Sequence, residues 1–258
     1  MRKSLLAVPV LLLATTAYGG WFDCSETAPR RANASLAGVT HLHVIGRAGS
    51  LRVTGRSGVR EMTATGTACA DSKSALNDIR FRVQQSGTDL LVEAVIPERN
   101  GGWFGGSNGS LDMEVTVPDT MPIDIEDGSG EATVENVGPL KMTDGSGELT
   151  IKNVHGNANV HDGSGELIIE DVAGDLRVVD GSGEMEINRV SGNVTIDDGS
   201  GGITVRNVQR NVTIEDDGSG SVDVRDVRGD FTVQNKGSGS VDYERVSGRV
   251  SIPRRNRD

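Results

Sequence analysis

Apolar and polar residues alternate in short segments along the second half of the chain. After Gly147, residues 148–154 read Glu-Leu-Thr-Ile-Lys-Asn-Val, and residues 156–161 read Gly-Asn-Ala-Asn-Val-His. Alternation with a period of two, bounded by Gly, Asn and Asp, is typical of short strands with one buried face. The pattern therefore predicts two strands of about five residues each, joined by tight turns.

This unit recurs along the chain at a nearly constant spacing, and each copy contains a Gly-Ser-Gly triplet. Successive triplets lie 17 to 19 residues apart, and an aspartate precedes every triplet except the last, which follows Lys236. Self-similarity at a fixed period is the signature of a repeat protein in which each unit stacks on the next. The triplets are centred on Ser129, Ser146, Ser164, Ser182, Ser200, Ser219 and Ser238.

The repeat predicts an all-β fold, a single β-solenoid with coils of about 18 residues. Five apolar positions recur in each unit, and aliphatic side chains there can fill a narrow interior without large aromatic residues. Antiparallel hairpins in a stack would produce a similar pattern and remain an alternative. A hexapeptide helix is excluded because His155 stands six residues after Leu149, where that fold requires an aliphatic residue. In one unit the five positions are Leu167, Ile169, Val172, Leu176 and Val178.

The chain divides into four segments by composition and pattern. These are a signal peptide at 1–19, a β-rich N-terminal capping region at 20–120, the β-solenoid repeats at 121–252 and a basic C-terminal tail at 253–258. A solenoid end exposes strand edges and apolar surface, so the second segment is expected to cap the first coil. Its sequence predicts a short helix within 72–80 and strands at 42–45, 49–53, 81–83, 90–95 and 111–118.

The N-terminus has the features of a secretory signal peptide. Arg2 and Lys3 precede an apolar run from Leu5 to Ala14, and small residues follow it. A run of about ten apolar residues is shorter than the roughly 20 that span a bilayer, although a retained membrane anchor is the alternative. We therefore expect an exported protein of the periplasm or the cell surface, with no membrane span in the mature chain.

The two cysteines, Cys24 and Cys69, both lie beyond the expected cleavage site. In an oxidising compartment a single pair of cysteines is most simply a disulfide. Two cysteines with no histidine at ligand spacing make a poor metal site. We therefore expect a structural disulfide that ties the mature N-terminus to the first third of the chain.

The charge balance excludes one class of partner. The chain has 26 basic and 37 acidic residues, a net charge of −11, and only eight aromatic residues. Nucleic-acid-binding proteins need a basic surface and often stacking aromatics, so we expect no nucleic acid partner. Residues 121–258 contain 26 acidic and 14 basic residues, so the repeats hold nearly all of the excess negative charge.

Several features together resemble one bacterial family. They are the signal peptide, the β-rich first third, the strand ending in Val117-Pro118 and the tandem Asp-Gly-Ser-Gly-Glu units, over roughly residues 40–252. The family consists of exported β-strand-repeat proteins of unknown function, labelled as candidate adhesins. The resemblance implies a β-solenoid, export to the cell envelope and no established enzymatic activity. It brings no catalytic residues to this chain, and we expect no cofactor.

The aspartates before the triplets form the first candidate site. Coils stacked about 4.8 Å apart place them in a column, where like charges repel. A cation such as Ca²⁺ could bind there, because it prefers rows of oxygen ligands. The favoured interpretation is that each carboxylate accepts hydrogen bonds from the following Gly or Ser amides, since the calcium-binding nonapeptide pattern is absent. The column comprises Asp127, Asp144, Asp162, Asp180, Asp198 and Asp217.

A second acidic column and a histidine pair are further candidates for chemistry, and each also has a structural explanation. Enzymes with a wider β-helix cut polysaccharides with paired carboxylates, but rows of identical glutamates are more typical of a solvated face. His41 and His43 share one strand face, and because no third ligand is evident we expect no metal site there. The second column is Glu131, Glu148, Glu166 and Glu184.

A glycine-rich segment at 100–110 contains Trp103 and Phe104. Aromatic residues in an exposed loop are frequent anchors for a partner, so these two are candidate binding residues. Alternatively, they fold back and plug the open end of the solenoid.

These observations favour a non-enzymatic, exported cell-envelope or surface repeat protein that acts in binding, in adhesion or as a scaffold. Its partner is expected to be a protein or a glycan of the envelope. The alternative is a polysaccharide-active β-helix enzyme of the envelope, which export and the acidic rows support.

Overall fold

The computed structural model describes residues 24–97 and 109–253. In this part of the chain, 22 strands and one short helix form two sheets of eleven strands around one core. The elements of the N-terminal part are β1 (Glu26–Ser35), β2 (His41–Ile45), β3 (Leu51–Arg56), β4 (Glu61–Ala70), α1 (Lys73–Asp78), β5 (Arg80–Ser86), β6 (Asp89–Val95) and β7 (Gly109–Pro118).

The repeats supply two strands per coil. They are β8 (Ile123–Asp127), β9 (Ala132–Val137), β10 (Leu140–Asp144), β11 (Gly147–Val154), β12 (Ala158–Asp162), β13 (Gly165–Val172), β14 (Leu176–Asp180), β15 (Gly183–Val190), β16 (Val194–Asp198), β17 (Gly201–Val208), β18 (Val212–Ser219), β19 (Val222–Val227), β20 (Phe231–Ser238), β21 (Val241–Val246) and β22 (Val250–Ser251).

Each coil places one strand in each sheet, and equivalent strands of successive coils pair in parallel. In the first sheet the order is β1-β4-β7-β3-β9-β11-β13-β15-β17-β19-β21, and in the second it is β22-β20-β18-β16-β14-β12-β10-β8-β2-β6-β5. Leu149 pairs with Leu167 one coil later, as the repeat requires. The fold is therefore a β-solenoid of about seven turns, and the hairpin alternative is excluded because hairpin strands pair antiparallel.

The apolar positions of the repeat form the core. The five positions of the unit that begins at Leu167 are all buried, and the equivalent positions of neighbouring coils stack above and below them. In the repeats, each first-sheet strand from β9 to β21 contains one non-glycine residue with a positive φ, such as Asp171 at 61°, and this residue turns the chain so that Val172 again faces inward. The apolar spacing within the unit therefore widens from two to three residues at this point.

The N-terminal strands continue the same two sheets. β2 and β3 form a coil that pairs in parallel with β8 and β9, and β6 and β7 form the next coil outward. Beyond them, β4 and β1 extend the first sheet antiparallel, and β5 does the same for the second. The predicted helix is present as α1, and the Ser72 hydroxyl accepts a hydrogen bond from the Ala75 amide at its N-terminus.

Two N-terminal strands, β1 and β4, were not predicted from the sequence. β1 contains Pro29 and alternates between polar residues and alanine, and proline is confined to edge strands such as this one. In β4 the buried residues include Met62, Ala64 and Ala68, and the small alanine side chains give only a weak apolar alternation in the sequence. Both strands are stabilised by pairing rather than by their own propensity, since β4 pairs with β7 and β1 pairs with β4.

The other end of the solenoid is open as far as the structure describes it. Val241, Val246 and Val250 occupy core positions of the last coil but are only half-buried. Tyr243, at the position equivalent to the buried Val224, is 48% exposed and lies against Phe231 with ring centroids 6.2 Å apart. An uncovered terminal coil is a feature that a self-assembling solenoid would show.

The predicted disulfide between Cys24 and Cys69 is confirmed. It joins the chain just before β1 to the end of β4, the strand with which β1 pairs. Reducing it, or replacing both cysteines by serine, is expected to lower the unfolding free energy by about 2 kcal/mol, because a cross-link restricts the unfolded chain.

Urea unfolding with and without reductant measures this effect, and the double serine variant should no longer respond to reductant. An unfolding midpoint that reductant leaves unchanged in the native protein would show that the bond does not stabilise the fold.

Candidate functional site

The aspartates before the Gly-Ser-Gly corners lie inside the solenoid. Asp162 and Asp198 are 1% and 2% exposed, and Asp217 is fully buried. They are buried because they continue the inward phase of their strands, as Asp180 does after Leu176 and Val178. Parallel pairing then places Asp144, Asp162, Asp180 and Asp198 at equivalent positions of four successive coils. The result is a column of carboxylates within an aliphatic core.

Burial shifts the pKa of these carboxyl groups strongly upward. It raises the pKa of Asp127 to about 6, and burial together with neighbouring carboxylates raises the pKa of Asp144 and of Asp198 to about 7. Asp144 and Asp198 each have neighbouring carboxyl groups in the column, and repulsion between like charges disfavours their ionisation further. The column therefore holds protons close to neutral pH.

The two ends of the column differ from its middle. At the N-terminal end Gly46 replaces the aspartate, and a Cβ there would lie within 3.3 Å of two Asp127 side-chain atoms, Cγ and an oxygen. At the C-terminal end Lys236 pairs in register with Asp217, and its positive charge lowers the pKa of that carboxyl group against the larger effect of burial. The one corner that departs from the Asp-Gly-Ser-Gly pattern thus places a cation beside the last aspartate.

The backbone contacts expected for the aspartates are weak. Amides of the following glycine or serine approach the carboxylates of Asp144 and Asp198 and lower their pKa, but less than burial raises it. Neither oxygen of Asp144, Asp162 or Asp198 has a hydrogen bond of ordinary geometry to the protein. Calcium binding by this column stays the less favoured alternative.

The outer face of the second sheet contains a polar groove of about 730 Å³. It runs across β10, β12, β14, β16 and β18, and one row of its lining follows the strand register. Each member of this row lies between two buried core positions, so its side chain points outward. The row is Lys141, Asn159, Arg177, Thr195 and Thr213. Arg177 donates to Glu215 at 2.9 Å, across the intervening strand β16.

A second row of the same groove links the coils to one another. The Asp175 carboxylate accepts hydrogen bonds from the Asn193 amide at 2.7 Å and from its Nδ2 at 3.0 Å. The Asn193 side-chain oxygen in turn accepts from the Asn211 amide at 3.3 Å. Sequence reasoning missed this row, although Asn or Asp recurs every 18 residues at its positions. The row is Asn157, Asp175, Asn193 and Asn211.

A second groove of about 620 Å³ lies along the positive-φ residues of the first-sheet strands. Arg189, one of these residues, binds the Asp171 carboxylate of the preceding coil through two hydrogen bonds of 2.6 and 2.8 Å. Arg245 binds Asp226 in the same way three coils later. These pairs explain why a charged residue is retained at a position where glycine or asparagine would have less backbone strain.

The remaining predicted residues fall into two groups. The four glutamates of the second acidic column are exposed, as a solvated face requires. Trp103 and Phe104 lie outside the described residues, between β6 and β7, so their binding role stays a prediction. The signal peptide and the basic residues after Pro253 are also outside the described part.

The histidine pair has a neighbour that the sequence did not reveal. His41 and His43 lie side by side on the outer face of β2, with ring centroids 4.7 Å apart. The pairing of β2 with β8 brings Asp124 next to them, and its carboxylate lies 3.3 Å from His41 Nε2. Asp124 is therefore a third candidate ligand beside the pair. Asp124 was missed because it lies 81 residues after His43 in the chain.

The described residues contain no helix that is long and apolar enough to cross a membrane.

The fold and the two grooves define a repeat protein with polar surfaces that run along stacked coils. Comparison with protein families matches residues 60–258 to the Toastrack DUF4097 family, and the chain belongs to this family. No curated protein matches the sequence significantly.

Several solved structures are similar in fold. A candidate lipid-binding protein from Parabacteroides distasonis is 14% identical, with a TM-score of 0.47 over 87% of this chain and 97% of that chain. A candidate adhesin from Parabacteroides merdae is 10% identical, with a TM-score of 0.41 over 89% and 97%. A candidate cell adhesion protein from Clostridium sporogenes is 12% identical, with a TM-score of 0.33 over 88% and 99%. We carry no functional residue over from them.

Proposed function

We propose that the protein is a non-enzymatic, exported binding protein of the cell envelope that holds a glycan along the polar groove of its second sheet. The observation that carries this proposal is the row of side chains from Lys141 to Thr213, which repeats at the strand spacing of about 4.8 Å. A polysaccharide also presents its hydroxyl groups at regular intervals, so one chain can form hydrogen bonds with several coils at once. The Cys24–Cys69 disulfide supports an oxidising, exported location in the periplasm or at the cell surface.

The composition of the groove favours a glycan over a protein partner. Protein interfaces are organised around buried aromatic or aliphatic anchors. Among the described residues, the large hydrophobic side chain with high exposure is Tyr243, which lies in the last coil and not in the groove. The groove combines apolar surface, such as that of Pro122 and Pro139, with amide, hydroxyl and guanidinium groups, which are donors and acceptors suited to sugar hydroxyls.

The acidic residues of the groove support a binding role over glycoside cleavage. Glycosidases position two carboxylates about 5 to 9.5 Å apart across the scissile bond. The acidic residues in the groove lining are Asp124 and Asp175, which lie three strands apart, or about 14 Å at the strand spacing. The Asp175 carboxylate is also occupied by two hydrogen bonds from Asn193.

The test is glycan binding by the tag-free mature protein and by an Arg177→Ala variant. Titration calorimetry with soluble fragments of envelope polysaccharide, in EDTA, should show saturable binding that the variant weakens at least tenfold, or about 1.4 kcal/mol. The matched control is Arg206→Ala, because Arg206 lies on the other sheet and pairs with Glu186 as Arg177 pairs with Glu215. This control should bind as the native protein does.

Two results would overturn the proposal. Equal losses in both arginine variants would show that the groove is not the binding surface. Shorter glycan products after incubation, detected by chromatography, would instead support the polysaccharide-active enzyme.

A further inference from the structure

We propose that His41, His43 and Asp124 form a binding site for a divalent transition-metal ion, with Zn²⁺ the best match. The three side chains come from neighbouring strands, β2 and β8, and their ligand atoms all lie within 4.8 Å of one another. Two imidazoles and one carboxylate are a donor set that zinc accepts, whereas calcium prefers oxygen ligands alone. This inference does not depend on glycan binding.

One of the three separations between ligand atoms already matches tetrahedral coordination, and the other two are at most 4.8 Å. His41 Nε2 and Asp124 Oδ1 are 3.3 Å apart. Two ligands that each lie about 2.1 Å from a tetrahedral zinc ion are separated by about 3.4 Å. His43 follows two residues after His41 on a strand, so both imidazoles project from the same face. Small side-chain rotations would bring all three atoms to one ion, because the β2–β8 pairing already fixes their backbones.

The site is accessible and its surroundings suit a cation. All three residues are half-buried, so an ion can enter from solvent while the sheet orients its ligands. Asp89 pairs in register with His41 and adds a second negative charge on the same face, while Lys141 pairs with Asp124 on its other side. The two carboxylates and one lysine therefore leave a net negative charge around the site, which favours a cation.

Three protein ligands leave the fourth position of a tetrahedral ion open. Zinc sites with three protein ligands hold water or an external ligand in this position. Asp124 also lines the polar groove, so the ion would stand at one end of it. The open position would then be available to a hydroxyl or carboxylate group of a molecule in the groove.

Zinc titration of the tag-free mature protein tests the site. After removal of metals with EDTA and dialysis, competition with a chromophoric chelator should reveal one zinc ion per chain. His41→Gln, His43→Gln and Asp124→Asn should each weaken zinc binding at least tenfold. The control is His161→Gln, since His161 is an exposed histidine on β12 of the same sheet. Co²⁺ in place of zinc should give the visible absorption of a tetrahedral site.

The outcomes separate a metal site from a simple ion pair. If the native protein binds no zinc stoichiometrically, or if His43→Gln binds it as the native protein does, the proposal is wrong and His41–Asp124 is only an ion pair. Thermal unfolding in EDTA shows whether each variant is folded. Glycan binding is measured in EDTA as well, so failure of the metal site leaves the proposed function intact, and the reverse also holds.

Discussion

A Gly183→Ala variant is expected to lose at least about 4 kcal/mol of unfolding free energy and to accumulate poorly as a folded protein. Gly183 has a φ of 149°, and a Cβ at this position would lie 1.7 Å from the carbonyl oxygen of Gly165 and 2.8 Å from its carbonyl carbon. Both clashing atoms belong to the backbone of the preceding coil. They cannot move without breaking the pairing of β13 with β15, in which the two glycines are partners.

Gly58→Ala is the matched control for this prediction. Gly58 also has a positive φ, 75°, but no atom lies within 4 Å of the position of its Cβ. This variant should therefore lose only the roughly 1 to 2 kcal/mol of left-handed backbone strain. Urea unfolding followed by circular dichroism, together with limited proteolysis, compares the two variants. A loss in Gly183→Ala that is no larger than in Gly58→Ala would refute the contact argument.

The solenoid could be predicted because the same residue pattern repeats in every coil. Alternation of apolar residues defines strands, and the triplets set the length of the coil, so residues such as Leu149 and Leu167 align without any structure. The N-terminal part has no repeat, and β1 and β4 escaped prediction there. The β2–β3 coil lies between the β6–β7 coil and the first repeat, an order that no local pattern encodes.

The buried aspartate column and the His41–His43–Asp124 cluster were predicted less completely, each for its own physical reason. The spacing of Asp180 after Leu176 and Val178 places it on the buried face of its strand, although burying a charged group is costly. Protonation resolves the conflict, because a neutral carboxyl group avoids most of this cost. The approach of Asp124 to His43 depends instead on the pairing of two distant strands, which has no counterpart elsewhere in the repeat.

Lowering the pH from about 7.5 to about 5 is expected to increase the unfolding free energy by about 4 kcal/mol or more. In the folded protein the pKa of Asp144 and of Asp198 is about 7, and that of Asp127 is about 6. In the unfolded chain these groups have the ordinary aspartate pKa of about 3.9. Between these values the folded chain binds more protons, so the stabilisation grows as the pH falls and is lost as the pH rises through about 6 to 7.

Two surface ion pairs lower the unfolding free energy when the pH falls further, because acid then protonates their aspartates. Arg189 lowers the pKa of Asp171, and Arg245 lowers the pKa of Asp226. Their contribution is present above the ordinary aspartate pKa and is lost only as the pH falls below about 3.9. The protein should therefore be most stable at about pH 4 to 5, and not at neutral pH.

Asp198→Asn assigns this pH dependence to the buried column. Asparagine keeps the shape of the side chain without its charge, so the variant should be about 2 kcal/mol more stable than the native protein near pH 7.5 and should depend less on pH. Asp197→Asn is the control, because Asp197 is the preceding residue and points to the outer face. Added Ca²⁺ distinguishes the two neutralising ions. If calcium occupies the column, added Ca²⁺ will stabilise the native protein near pH 7.5, and Asp198→Asn will be less stable than the native protein. If protons occupy it, added Ca²⁺ will leave the stability unchanged, and Asp198→Asn will be more stable than the native protein.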